Sequence, residues 1–541
     1  MPVGRSPVVA HLNASRDDQS ITDSRLWCPP SEFVSVPYMT ALVPVPASQK
    51  TDAEAAPFTF TETSRIVATP ATRATAAVAA AALAPLVGRT IEVVDDLRPT
   101  DGNIVLEQLA EGTAESYTLT VDASGIRILG GDEAGLFYGV QTLLQLMAAS
   151  SPVAATVIED APRFAYRGVM LDVARHFFPV EVVKGYIDRA SALKFNVLHL
   201  HLTDDQGWRI HLDSRPELTE RASGTSALGD PGGFYTKDDY AQIVAYAASR
   251  HMIVVPEIDA PSHTHAISLA YPELMEPIVL SEHINEVVEA FGGGIPEAGR
   301  PYTGFAVGFS SLKIHDEATY ALLGDVYREL AAMTPGPYLH IGGDEALGTD
   351  PADYSVFVAR ATRMVSELGK TPIAWHEAGA VADLSPASIG QYWGYVTPTD
   401  GMDEKTRTFV RNGGSVILSP ADAIYLDMKL TADSRTGLTW ANGPTSVQRS
   451  YAWEPTSIID GIAESDILGV EAPMWSETLR TPDDIDAQAF PRIASAAEIA
   501  WSPAQHDDRT WESFRARVGT LAPLWRSQGI AFTPADEIDW A

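Results

Sequence analysis

The sequence predicts a (β/α)8 barrel preceded by a smaller α/β domain, and three observations carry that prediction. The chain has 541 residues, more than one ordinary hydrophobic core organises, so at least two domains are expected. Its texture changes near Asp160-Ala-Pro-Arg163, and ten of the eleven tryptophans lie beyond residue 200. From there on, strand-like apolar runs alternate with long amphipathic stretches, the pattern of parallel βα units. Eight such runs can be counted, the number that closes a barrel.

Residues 1–33 read as a loose arm. Arg5, Arg16, Asp17, Asp18 and Asp23 stand among small polar residues with no apolar h-region, so no secretory signal is read and cytoplasmic residence is expected. Residues 34–161 read as the small α/β domain, with strand-like runs at 90–94, 117–121 and 125–129 and a helix over 134–147. The Ala-rich stretch 75–87 falls short of the roughly 20 residues that span a bilayer. It reads as a buried helix, and no membrane partner is expected. Residues 162–541 hold the barrel, with runs at 166–174, 196–203, 253–258, 338–343, 372–376, 388–393, 415–419 and 467–475.

Composition removes several function classes. A formal net charge of −33 leaves nothing to neutralise phosphates, so no nucleic-acid partner is expected. The single cysteine, Cys28, forbids an internal disulfide and a thiolate zinc site. Neither a metal nor another cofactor is expected.

In a (β/α)8 barrel the ligand site lies at the C-terminal ends of the strands. The residues just past each run are Arg175, Asp204, Asp259 with His263, Asp344 with Glu345, Trp375, Trp393, Tyr425 with Asp427, and Trp475 with Glu477. Flat rings pack on the apolar face of a pyranose while charged groups take its hydroxyls, so a carbohydrate is the expected substrate. Asp-Glu also occurs at 132–133, 316–317, 403–404 and 536–537, on what reads as surface. Asp344-Glu345 differs because it follows a short strand through Gly342 and Gly343, which permit a sharp turn or a close approach. Most glycosidases divide the work between carboxylates about 5 Å apart for retention or about 6.5–9.5 Å apart for inversion, flanking the scissile bond. Two consecutive residues on one loop do not reach both sides of a sugar ring. With Glu345 as general acid, the nucleophile must come from elsewhere, and a 2-acetamido group on the substrate could supply it.

Four strings carry a family resemblance: Arg167-Gly-Val-Met-Leu-Asp-Val-Ala-Arg-His-Phe-Phe-Pro179, His199-Leu-His-Leu-Thr-Asp-Asp-Gln-Gly-Trp208, Val255-Pro-Glu-Ile-Asp-Ala-Pro-Ser-His263 and His340-Ile-Gly-Gly-Asp-Glu345. They resemble the family 20 glycoside hydrolases, the β-N-acetylhexosaminidases. The resemblance implies an exo-acting, retaining, substrate-assisted mechanism, an exception to the two-carboxylate rule. In it Glu345 is acid and then base, Asp344 holds the acetamido N–H, and Tyr425 steadies the acetamido oxygen. Trp375, Trp393 and Trp475 box the ring, Arg175 and Glu477 hold O3 and O4, and Asp427 lies near O6. Asp259 and His263 match a support pair beside the acid, and Asp204 matches an orienting group. The implied partner is an oligosaccharide or glycoconjugate ending in N-acetylhexosamine.

Two departures from the family pattern stand out. Ser262 occupies a position where glycine is frequent, which places a strain on serine if the turn there is left-handed. The stretch 276–303 is long and contains Gly292-Gly-Gly294; lining the aglycone side, a contact in a homodimer and a plain loop are its three readings. Three other functions stay open at this stage. His199 and His201 alternate along one strand and point the same way, as zinc-binding pairs do, which suits a metal-dependent barrel hydrolase. A non-catalytic sugar-binding barrel would use the same aromatic and acidic contacts. Release of a disaccharide, as in lacto-N-biosidases, would need a pocket open beyond O3.

Overall fold

The computed structural model describes residues 41–95 and 102–541. The arm 1–33, with Cys28, lies outside the described residues.

The first unit is a mixed seven-stranded sheet. Its strands are β1 (Ser48–Asp52), β2 (Ile66–Ala68), β3 (Val93–Val94), β4 (Asn103–Gln108), β5 (Tyr117–Asp122), β6 (Gly125–Gly130) and β7 (Ala155–Asp160), in the order β1-β7-β5-β6-β4-β2-β3. The hairpin β5–β6 turns at Asp122, whose carboxylate accepts from the Ser124 N–H at 2.7 Å. Helix α1 spans Arg73–Val87 and α2 spans Glu133–Ala149. Asp132 starts α2 by accepting the Gly135 N–H at 2.7 Å, which satisfies one of the unpaired donors of the first turn. Leu136, Val140 and Leu143 of α2 pack into the same core as Ile104, Leu119 and Ile128 of the sheet.

Two expectations are corrected here. Helix α1 is not buried on all sides: only Thr75, Ala76, Ala79 and Leu83 are covered, one stripe at helical spacing. Alanine, with little side chain, tolerates either environment, so its run does not report depth. The strand-like run 90–94 shortens to the two residues of β3.

The second unit is a closed barrel of eight parallel strands. They are β8 (Tyr166–Asp172), β9 (Val197–His201), β12 (Ile253–Glu257), β13 (Tyr338–His340), β14 (Thr371–Trp375), β15 (Ile389–Tyr392), β16 (Val416–Leu418) and β17 (Ile467–Ala472), with a two-residue hairpin, β10 (Thr203–Asp204) and β11 (Gly207–Trp208), at the end of β9. Alternation decides which residues face inward. On β9, Leu198 and Leu200 join the layer packed against the surrounding helices. Val197 points into the barrel with Tyr166, Val255, Ile373, Ile389 and Ile417, which close its lower end. Above that plug the interior turns polar, with His199, His201, Glu257, His340, Gln391 and Glu471 all buried. This polar layer lies directly beneath the site.

The two units share buried polar contacts. Asp160, at the end of β7, accepts from Tyr117 Oη at 2.6 Å, Lys194 Nζ at 2.8 Å and Trp501 Nε1 at 3.0 Å. Among the described residues, no helix is long and apolar enough to cross a membrane.

Candidate active site

The loop after β13 carries Asp344 and Glu345 and is held at its main chain. Gly342 and Gly343 have φ of +71° and +97°, a region open to glycine at little cost. A side chain on Gly342 would collide with the Asp259 carboxylate, so the motif needs glycine for space as well as for conformation. Asp259 Oδ1 accepts the Gly343 N–H at 2.9 Å, Tyr354 Oη donates to the Gly343 carbonyl at 2.5 Å, and Trp375 N donates to the Gly342 carbonyl at 3.0 Å. Ser262 Oγ donates to the Asp344 carbonyl at 2.7 Å. The turn is not left-handed at Ser262; the positive φ, +55°, falls on its neighbour His263. Ser262 is therefore unstrained and fastens the acid loop through its hydroxyl.

The two carboxylates open onto a cleft-like cavity with about 730 Å³ of empty space, part of it open to solvent. Of the residues expected at the site, Arg175, Asp344, Glu345, Trp393, Tyr425, Trp475 and Glu477 line it. Asp204, Asp259, His263, Trp375 and Asp427 are buried behind its wall. Trp375 follows the parity of Ile373 and sits in the barrel interior, where its Nε1 donates to Glu257 Oε1 at 2.9 Å. Its ring lies 6.0 Å from that of Trp475, so it props the pocket floor from below. Asp427 Oδ1 accepts from the Trp475 main-chain N–H at 3.5 Å.

Asp204 is the electrostatic centre of this layer. Arg175 Nη1 lies 2.8 Å from its Oδ2, His201 Nε2 2.9 Å and His263 Nδ1 3.2 Å. Burial opposes its charge, but Arg175, His263 and His201 outweigh that and hold its carboxyl far below the usual range. The carboxylate that holds His263 is thus Asp204 and not Asp259, which is engaged with the Gly343 N–H. Burial pushes the other way on His263 as well, and Asp204, Asp344 and Asp259 prevail, raising it well above the ordinary histidine value. Its Nε2 stands 3.8 Å from Asp344 Oδ2 and 3.9 Å from Glu345 Oε2. Burial raises Tyr425 well above 10, so its hydroxyl keeps its proton and is available as a donor. Glu477 is pushed up to about 7 by burial, against the pull of Arg175.

Carboxylates of the barrel interior surround the His-x-His pair. His201 Nδ1 is 2.6 Å from Glu257 and His199 Nε2 is 3.0 Å from it, while His199 Nδ1 is 2.9 Å from Glu471. Despite burial, these carboxylates raise His199 to about 10 and His201 to about 9.

Several residues at the site were not singled out from the sequence. Glu377 follows Trp375 at the end of β14 and accepts the Trp393 Nε1–H at 3.0 Å. Its position two residues past Trp375, at the C-terminal end of a barrel strand, was the available signal. Leu438 and Trp440 enter from the loop after β16. The stretch 276–303 contains a helix, Glu282–Phe291, whose Val287 and Phe291 line the cavity with Phe305, Val307 and Leu347. The stretch is thus more than a plain loop, since its helix reaches the cavity.

Adjacent carboxylates on one pinned loop of a (β/α)8 barrel, opening onto a pocket lined by aromatic rings, an arginine and a glutamate, fit the class of the glycoside hydrolases. Comparison with known proteins makes this specific. Glycosyl hydrolase family 20, catalytic domain, matches residues 164–352 and 349–504, and Glycosyl hydrolase family 20, domain 2, matches residues 39–161. A β-N-acetylhexosaminidase of Cellulomonas fimi is 38% identical over 520 residues, covering 92% of this chain and 97% of that protein. Among solved structures, a family 20 β-N-acetylglucosaminidase is 59% identical with a TM-score of 0.84, covering 93% of this chain and all of the other. A mutant Streptomyces plicatus β-hexosaminidase in complex with the product GlcNAc is 41% identical with a TM-score of 0.83, covering 93% and 98%. The chain belongs to glycosyl hydrolase family 20, the family of the β-N-acetylhexosaminidases.

Proposed function

We propose that this β-N-acetylhexosaminidase removes one terminal β-linked GlcNAc or GalNAc at a time, with the roles divided as follows. Glu345 protonates the glycosidic oxygen while the substrate's acetamido oxygen attacks C1, and the aglycone leaves with the bond electrons and that proton. The oxazolinium ion so formed is opened by water, which Glu345, now a carboxylate, deprotonates. Retention follows from two displacements at C1. Asp344 accepts the acetamido N–H and faces the positive charge that develops there, and Tyr425 Oη donates to the acetamido oxygen. His263 adds a buried cation 3.9 Å from Glu345, steadying the carboxylate that remains once the proton has gone.

Arg175 and Glu477 line the cavity; in this reading they hold O3 and O4 of a terminal sugar and so close the pocket around it. That closure favours exo-action over release of a disaccharide. Trp393 and Trp475 form the walls. All these residues come from 162–541, and the 34–161 domain supplies none of them. The observation that carries the reading is the placement of Asp344 and Glu345, side by side on one loop and both open to the cavity. Release of 4-nitrophenol from its β-N-acetylglucosaminide tests it. Steady turnover is expected, and tight GlcNAc binding without turnover would overturn it in favour of a binding protein.

A further inference from the structure

The side chain of Glu377 is four-fifths buried behind the cavity wall, and the mechanism above does not use it. Its position follows from strand register. Strands β14 and β15 pair with Trp375 opposite Gln391, so Glu377 and Trp393, each two residues further on, stand next to one another just past the strand ends. There Glu377 Oε2 accepts the Trp393 Nε1–H at 3.0 Å. The indole is also held through its ring, which meets that of His376 at 5.5 Å and that of Trp440 edge-on at 6.0 Å. A ring contact resists tilting only weakly, whereas one N–H bond to a buried acceptor fixes rotation about the last side-chain torsion.

We propose that Glu377 is a positioning residue that holds the Trp393 indole in the orientation that packs on the sugar. This rests on the reading of Trp393 as a wall of the sugar pocket. The charged and titratable groups around Glu377 agree with a holding role. Asp344 and Tyr425 face it from the cavity side, Tyr354 from the helix Pro351–Glu367, Lys405 from the helix Met402–Arg411, and His376 Nδ1 lies 3.5 Å away. Burial, with Asp344 adding to it, pushes the Glu377 carboxyl up to about 8. It is therefore neutral over the acid and neutral range. It can accept the indole N–H there without placing a second anion behind Asp344.

The test compares E377Q, E377A, W393F and the double variant E377A/W393F, with 4-nitrophenyl β-N-acetylglucosaminide as substrate. E377A should raise KM about tenfold, the loss of one well-aligned hydrogen bond, with kcat changed less than threefold. E377Q keeps an acceptor oxygen and should restore KM to within about twofold of wild type. It should also remove any inflection of KM near pH 8. The double variant should have the KM of W393F alone, because the two residues act on one surface. Equal KM for E377A and wild type, additive effects in the double variant, or E377Q as impaired as E377A would each overturn the assignment. A W393F variant with unchanged KM would instead refute the wall reading on which it rests. Thermal unfolding of each variant separates loss of fold from loss of positioning. If E377A does not fold, E377Q with W393F and E377Q/W393F decides through the pH dependence of KM: a wild-type inflection that E377Q keeps refutes the role.

Discussion

Replacing Asp204 by asparagine should damage binding and chemistry together. Its carboxylate lies within 3.2 Å of Arg175, His201 and His263 and is fully buried. Asn keeps the shape and one acceptor but removes the charge that those groups share. Removing one partner of a buried ion pair costs about 3–5 kcal/mol, and the retained acceptor puts this change at the lower end. Loss of a counter-ion at such a distance should also lower the proton affinity of His263 by about 1–3 pK units. His263 is raised in the fold, so its contribution to stability is complete below about 6.5 and is lost as pH rises through its folded value. In D204N the contribution should be smaller and its loss complete at lower pH, while the onset at about 6.5, set by the unfolded chain, stays where it is. Urea unfolding at several pH values measures the stability, and kcat and KM measured between pH 5 and 9 measure the function. A rise in KM of about tenfold, from a loosened Arg175, should accompany a fall in kcat of roughly a hundredfold, from a His263 that is no longer held as a cation beside Glu345. A D204N enzyme with kcat, KM and pH profile within twofold of wild type would refute the central place given to Asp204.

Other substitutions isolate single roles. E345Q should slow hydrolysis of unactivated disaccharides by about 10²–10⁴-fold, the usual worth of a general acid, and that of activated aryl glycosides much less; equal losses would contradict an acid role. Y425F removes a donor to developing charge, worth about 1.5–3 kcal/mol, and should lower kcat about 10- to 150-fold with little change in KM, as steady-state kinetics would show. G342A asks alanine to adopt φ +71° against the Asp259 carboxylate. It should cost about 1–2 kcal/mol from the backbone alone and displace both acids, so that kcat falls while circular dichroism still reports a folded barrel.

Much of the barrel was legible because its strands are buried on both sides and read as largely apolar runs, interrupted by the few polar residues of the interior layer. The sheet of the first unit was less so. Strand β1, Ser-Gln-Lys-Thr-Asp, has no apolar alternation and is largely exposed. It is a strand because it pairs with β7 over five residues, a partnership that local sequence does not announce. At the site, the rim residues were visible from their place after each run, but their depth was not. Trp375 is an instance where parity with Ile373 could have placed it inside the barrel. The hydrogen-bond partner of His263 was not readable in the same way. Asp259 is four residues away in sequence, yet Asp204, reaching across from the end of β9, makes the contact. Val287 and Phe291 needed the fold, since only the path of the 276–303 stretch brings them over the cavity.

The central claim is that the substrate's own acetamide, held by Asp344 and Tyr425, is the nucleophile. The inhibition constant of an N-acetylglucosamine-thiazoline, a stable mimic of the oxazolinium ion, tests it most directly. Competitive inhibition at least about a hundredfold tighter than the KM of the matching aryl glycoside is expected, as for analogues of a high-energy species. Inhibition no tighter than that by GlcNAc itself would contradict acetamide participation.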